Sequence, residues 1–191
     1  DNFIVGVCVS VDSDFEEVLS LEDQQTIASF HDERGLFDYI TCGTGGYYSY
    51  GKIIPSILFA DRLGAPYAEG LKQVVKHAKV QCESHIRTPD AADYVIASGQ
   101  ADLVSIVRGQ IADPHLANKA QQNRAEDIRP CLSCNQQCAA RRHRDYWISC
   151  LINPSAGREF EMGGDRFTLA ENPKRILVVG AGPAGCEAAR V

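Results

Sequence analysis

The chain has 191 residues, of which 45% are hydrophobic and 23% charged, with a formal net charge of −6. An acidic balance with no basic excess does not suit a nucleic-acid surface. The longest apolar runs are strand-length, short of the roughly 20 residues of a membrane-spanning helix, and no basic-then-apolar leader opens the sequence. A soluble, cytoplasmic protein is the expectation.

Residues 3–9 (FIVGVCV) form a compact apolar strand candidate. Ser20 then caps a helix, with Asp23 three residues on approximating a capping box and Leu21, Ile27, Ala28 and His31 on one face. Leu36–Thr41 reads as the next strand, followed by the loop CGTGGYYSYGKIIPS. That loop is longer than a structural connection needs, which points to function, and it carries Tyr47, Tyr48 and Tyr50. A helix is predicted over Tyr67–His77 and a third strand over Lys79–Cys82. Thr88 caps the next helix, with Pro89 at its first position, Ala92, Val95 and Ile96 along it and Gly99 as its stop. Asp102–Val107 is the fourth strand.

Strands and helices in strict alternation imply a parallel sheet with crossover helices. Four βα units over about 115 residues amount to half of a barrel of eight units and about 250 residues. A doubly wound open sheet has the same local rhythm, so periodicity leaves both architectures open. The chain opens at Asp1 in an apolar run and stops at Val191 inside a predicted helix, so an internal piece is expected, with the other half of the barrel before Asp1. Half a barrel bares two apolar strand edges, and the piece alone is expected to aggregate.

From Ala125 to Ala170 cysteine, arginine and turn residues replace the periodic apolar pattern. Of eight cysteines, Cys131, Cys134, Cys138 and Cys150 crowd together as C-x2-C-x3-C-x11-C, whereas Cys8, Cys42, Cys82 and Cys186 are scattered and read as packed thiols. Three thiolates on one tight loop and a fourth returning from an excursion suit the corner irons of a [4Fe–4S] cluster. A structural zinc site, which more often uses two separated pairs, is the alternative, and disulfides a third. Arg129, Arg141, Arg142, His143 and Arg144 flank the site, either raising a cluster's potential or forming a solvated basic loop.

Finally KRILVVGAGPAGCEAARV places Gly180, Gly182 and Gly185 in a G-x-G-x-x-G turn between a predicted strand, Ile176–Val179, and a helix. That context fits a dinucleotide pyrophosphate at a helix N-terminus, with a plain glycine turn as the alternative. In barrels of this kind a phosphate is often held after the last two strands, here the turns Glu83–Thr88 and Arg108–Gln110, which makes Arg87 and Arg108 candidates against surface ion pairs.

CLSCNQQC, SCLINPSAGRE, RILVVGAGPAG and ADLVSIVRGQIADPHLANKA together resemble the 2,4-dienoyl-CoA reductase and trimethylamine dehydrogenase group of the old yellow enzyme (NADH:flavin oxidoreductase) family, across essentially the whole chain. The resemblance implies an α/β fold in three parts: the C-terminal half of a (β/α)8 TIM barrel binding FMN (residues 1–124), a cluster segment (125–172) and the start of a Rossmann-like FAD- or NAD(P)-binding domain (173–191). It implies Cys131, Cys134, Cys138 and Cys150 as [4Fe–4S] ligands, Arg108 as a contact to the FMN phosphate with Ser84, His85 and Gly109 nearby, and Gly180, Gly182 and Gly185 at an FAD or ADP turn. The activity implied is hydride exchange between FMN and an organic substrate, with the cluster relaying electrons. Its direction is enoyl or enone reduction with NAD(P)H, or oxidative dealkylation of an amine, with an electron-transfer protein as a possible partner. A non-catalytic zinc-stabilised module is the reading from another class. Two departures stand out: Cys8 occupies a position where many relatives carry an arginine, and the loop tyrosines replace a histidine proton donor. Tyr47, Tyr48 and Tyr50 are therefore candidates for proton donation, for holding a substituted ammonium by cation–π attraction, or for loop packing.

Overall fold

The computed structural model describes residues 3–12, 14–162 and 168–191. Four parallel strands, β1 (Gly6–Val11), β2 (Tyr39–Thr44), β3 (Lys79–Cys82) and β4 (Leu103–Val104), lie in sequential order in one sheet. The pairing sets Val7 beside Ile40, Val9 beside Cys42 and Cys42 beside Cys82. Because side chains alternate across a strand, these residues form one row. That row packs into the core with Ala28 of α1 (Leu21–Asp32), Ala68 and Leu71 of α3 (Ala65–Lys72) and Val95 of α4 (Pro89–Ala97). The other row, with Gly6, Cys8 and Ser10 of β1 exposed, carries no helix of that core. Gly6 there lies against the Tyr39 ring, where a Cβ would collide.

The helix starts follow their signals. Ser20 accepts from the Asp23 N–H at 3.2 Å while the Asp23 carboxylate accepts from the Ser20 N–H at 2.9 Å, a complete capping box. Thr88 caps α4 through the Ala91 N–H at 3.2 Å, and Gly99 turns the chain out at φ +77°. The face predicted for α1 is corrected in part: Ala28 is buried and Leu21 packs against the core, but Gln24 and Asp32 are buried with them and Ile27 is exposed. Polar groups take the core face because each finds a partner. Gln24 Nε2 donates to the Ser10 carbonyl at 3.0 Å, and the Asp32 carboxylate accepts from the N–H groups of Lys76, His77 and Ala78 at 2.7 to 3.1 Å.

Boundaries move elsewhere too. β1 begins three residues later than predicted, β2 is displaced toward Thr44, α3 ends at Lys72, and β4 is two residues long. Short helices follow: α5 (Arg108–Ala112), α6 (Leu116–Gln121), a 3-10 turn at Ala125–Asp127, α7 (Ala139–Arg142), α8 (Glu159–Met162) and α9 (Pro183–Arg190). The strand predicted at Ile176–Val179 has no partner among the described residues, and Ile176, Leu177 and Val179 are exposed. A strand needs a neighbour for its ladder, so the segment stays irregular. The described residues contain no helix long and apolar enough to cross a membrane.

Candidate functional site

The turns that follow β3 and β4 meet over one cavity, lined by Glu83, Ser84, His85, Arg87, Ser105 and Arg108 among others. Four of the residues predicted for a phosphate site, Ser84, His85, Arg87 and Arg108, are thus brought together at the C-terminal ends of the strands. Ser84 and His85 both adopt left-handed φ, +69° and +65°, which throws the turn tightly back over β3. Gly109 is buried beneath it. A Cβ there would lie 2.6 Å from Ile106 Cγ2 and 2.9 Å from the Arg87 carbonyl, so only glycine lets the two turns close.

The ends of these side chains are held. Arg87 pairs with Asp61 at 2.6 Å and donates to the Cys131 carbonyl at 3.3 Å. His85 is 4% exposed, and both ring nitrogens are engaged, Nδ1 with the Ala60 carbonyl and Nε2 with Ser133 Oγ, each at 2.9 Å. Burial, joined by the charges of Arg87 and Arg108, pulls its pKa below the ordinary histidine value, so the ring is neutral at pH 7. A carbonyl can only accept, so Nδ1 carries the proton and Nε2 accepts from the Ser133 hydroxyl.

A second cavity adjoins the first. Cys131, Cys134, Cys138 and Cys150 all line it, and so does Arg108, which is common to both. Among the described residues no group of three or more His, Cys, Asp or Glu is placed to hold a single metal ion. Burial raises the Cys138 thiol pKa above its ordinary value, outweighing the Ala139 N–H and the Arg108 charge, which lower it. Ser133 and Asn135, at left-handed φ of +50° and +59°, bend the loop around the cavity, and the Ser133 N–H donates to Cys131 Sγ at 3.4 Å.

The loop after β2 is clamped onto this segment. Tyr50 Oη lies 2.9 Å from His143 Nε2, and Asn135 Nδ2 donates to the Ile54 carbonyl at 2.8 Å. Tyr50, at the start of α2 (Tyr50–Ile53), therefore has its hydroxyl engaged with the cysteine segment. Tyr47 and Tyr48 stay exposed, edge to face at 5.7 Å, with Phe15 5.5 Å from Tyr48.

Asp12 was not legible as a site residue. It directly follows β1, is 1% exposed, and accepts from Ser49 and from Lys52 Nζ at 3.2 Å; Lys52 also pairs with Asp14 at 2.5 Å. Burial opposes its charge, but the hydrogen bonds from Ser49 and Lys52 outweigh it and hold the carboxyl below the usual range. Its only sequence signal is its place after a strand, where barrel enzymes carry functional groups. Of the scattered cysteines, Cys42 and Cys82 are packed thiols, pushed up to about 12 by burial and by Glu83, whereas Cys8 and Cys186 are exposed, which corrects the expectation for those two.

Gly180, Gly182 and Gly185 lie apart from both cavities, at the start of α9. Gly180 has φ +108°, Gly182 is the N-terminal cap, and a Cβ on Gly185 would collide with the Gly180 carbonyl. The helix can approach the preceding segment only because Gly185 lacks a side chain.

No protein-family model matches the chain. It is 44% identical over 124 residues (65% of the chain, 18% of the relative) to a metal reductase from Desulforamulus reducens. Over its whole length it is 31% identical to an N,N-dimethylglycine/sarcosine dehydrogenase from Chromohalobacter salexigens, covering 28% of that protein. A solved 2-naphthoyl-CoA reductase in complex with 2-naphthoyl-CoA superposes with a TM-score of 0.85 over 96% of the chain and 27% of the reductase, at 29% identity. The chain thus spans about a quarter of the length of most of the proteins it matches.

Proposed function

The chain belongs to the dienoyl-CoA reductase and trimethylamine dehydrogenase group of the old yellow enzyme family, and from that premise we propose that the full-length protein is an FMN- and [4Fe–4S]-dependent oxidoreductase of the NADH:flavin oxidoreductase type. The observation that carries this is the sharing of Arg108 between the cavity after β3 and β4 and the cavity ringed by Cys131, Cys134, Cys138 and Cys150. Residues 1–124 are read as the C-terminal half of a TIM barrel, 125–172 as the cluster segment and 173–191 as the start of a dinucleotide-binding domain. Sequential strand order with the core helices packed on one face supports a barrel over a doubly wound sheet, which carries helices on both.

FMN supplies hydride exchange with the organic substrate, and the cluster supplies single-electron relay toward a second nucleotide site. Arg108, with Ser84 beside it, holds the FMN phosphate, a charged group that suits a guanidinium. The four cysteines ligate the cluster. Gly180, Gly182 and Gly185 shape the turn for the pyrophosphate of FAD or ADP. Asp12 stays ionised and, with Ser49, keeps the Lys52 ammonium fixed at the end of β1.

The direction favoured is reduction of an enoyl or enone with NAD(P)H. The amine reading, oxidative demethylation, draws on the exposed aromatic corner of Phe15, Tyr47 and Tyr48, whose ring faces suit a substituted ammonium. Anaerobic bleaching of the flavin band decides between them. Bleaching by NADH or NADPH, reversed by an enoyl-CoA, supports the reductase; bleaching by a methylated amine alone supports the demethylase; bleaching by neither contradicts both.

A further inference from the structure

We infer that His85 and Ser133 form a positioning pair that fixes the Cys131 thiolate and thereby sets the reduction potential of the cluster, an inference that rests on the [4Fe–4S] reading. His85 comes from the turn after β3, yet its imidazole points away from open solvent and ends on the cysteine loop. Ser133 sits between Cys131 and Cys134 and is 0% exposed, so its hydroxyl depends on a protein partner. The chain of contacts is continuous. The Ala60 carbonyl anchors Nδ1–H, Nε2 accepts from the Ser133 hydroxyl, and the Ser133 N–H donates to Cys131 Sγ.

Ser133 holds φ +50°, a conformation that costs a non-glycine residue free energy, and the bond from its hydroxyl to His85 is a side-chain contact that helps hold it there. The aim of the Ser133 N–H at sulfur depends on that conformation. Hydrogen bonds to cluster sulfurs stabilise the more negative, reduced state and raise the potential. His85 therefore acts on the cluster through Ser133 and touches neither metal nor substrate, which makes it a positioning residue.

Two isosteric changes separate this role from packing. In His85→Asn the amide nitrogen takes the place of Nδ1 and keeps the Ala60 contact, but nothing reaches Ser133. In His85→Gln the longer amide reaches the place of Nε2 and restores a partner for the hydroxyl. Ser133→Ala removes the hydroxyl alone and decides the matter should His85→Asn fail to fold.

The experiment is an EPR-monitored redox titration of the full-length holoprotein with iron content measured in parallel. His85→Asn and Ser133→Ala are expected to keep their iron and to show a lowered cluster potential, and His85→Gln to return it toward the parent value. Full iron with an unchanged potential in both His85→Asn and Ser133→Ala overturns the proposal. A fall that His85→Gln fails to reverse assigns the effect to packing and overturns it as well. A parent protein without iron removes the cluster reading itself, a failure distinguishable from the other two.

Discussion

Arg108 Nη1 donates to Asn135 Oδ1 at 2.7 Å, and the same nitrogen donates to the Pro55 carbonyl at 2.6 Å. Asn135 returns the tie through Nδ2 to the Ile54 carbonyl at 2.8 Å, so one amide between Cys134 and Cys138 joins the cysteine loop to the segment after β2. Replacing Asn135 by Ala removes a charge-assisted hydrogen bond and a neutral one, about 2–4 kcal/mol together. Flavin and iron contents of the purified variant are expected to fall together. Arg108→Lys should not restore the wild-type contents, because an ammonium is a point charge without the planar fork that spans several acceptors.

Serine at each of Cys131, Cys134, Cys138 and Cys150 is expected to abolish or strongly reduce bound iron, whereas Cys186→Ser, on exposed α9, should leave it unchanged. Residues 128–158 contain few buried apolar side chains, so loss of the cluster should also open this segment to limited proteolysis, read as new cleavage between the barrel part and α9.

Asp32 accepts three backbone N–H bonds while 1% exposed. Burial opposes its charge, but those bonds prevail and lower its pKa. A lowered pKa means that the contribution is full above the unfolded value near about 4 and is lost as pH falls through the folded value. Asp32→Asn should therefore cost about 2–3 kcal/mol at pH 7. The gap between wild-type and variant Tm, followed from pH 7 to pH 3, should close on acidification.

Tyr50→Phe removes one contact to His143 and should change turnover by less than about fivefold, since a typical hydrogen bond contributes about 1 kcal/mol. Tyr47→Ala or Tyr48→Ala should raise the KM for a methylammonium substrate about two- to fivefold if the aromatic corner binds the cation, and leave the KM for a neutral enone unchanged.

What the sequence made legible were features with a local cause. The Ser20 capping box, the Thr88–Pro89 helix start and the Lys79–Cys82 strand each depend on neighbours within a few residues, and each appears where expected. What it hid depends on partners distant in sequence. Asp32 and Gln24 are polar and so look like surface, yet they face the core because backbone groups from other elements meet them. Asp12 looks like one of several acids after β1 until Ser49 and Lys52 close on it. His85 follows the right strand for a phosphate contact, but its ring is spent on Ala60 and Ser133.

The measurement that bears most directly on the central claim is iron and acid-labile sulfide analysis of the anaerobically purified full-length protein, with its visible spectrum before and after dithionite. About four irons and four sulfides per chain, one releasable FMN, and bleaching of both the flavin and the thiolate-to-iron absorption are the predicted result. One zinc per chain without sulfide would contradict it and leave Cys131, Cys134, Cys138 and Cys150 as a structural site.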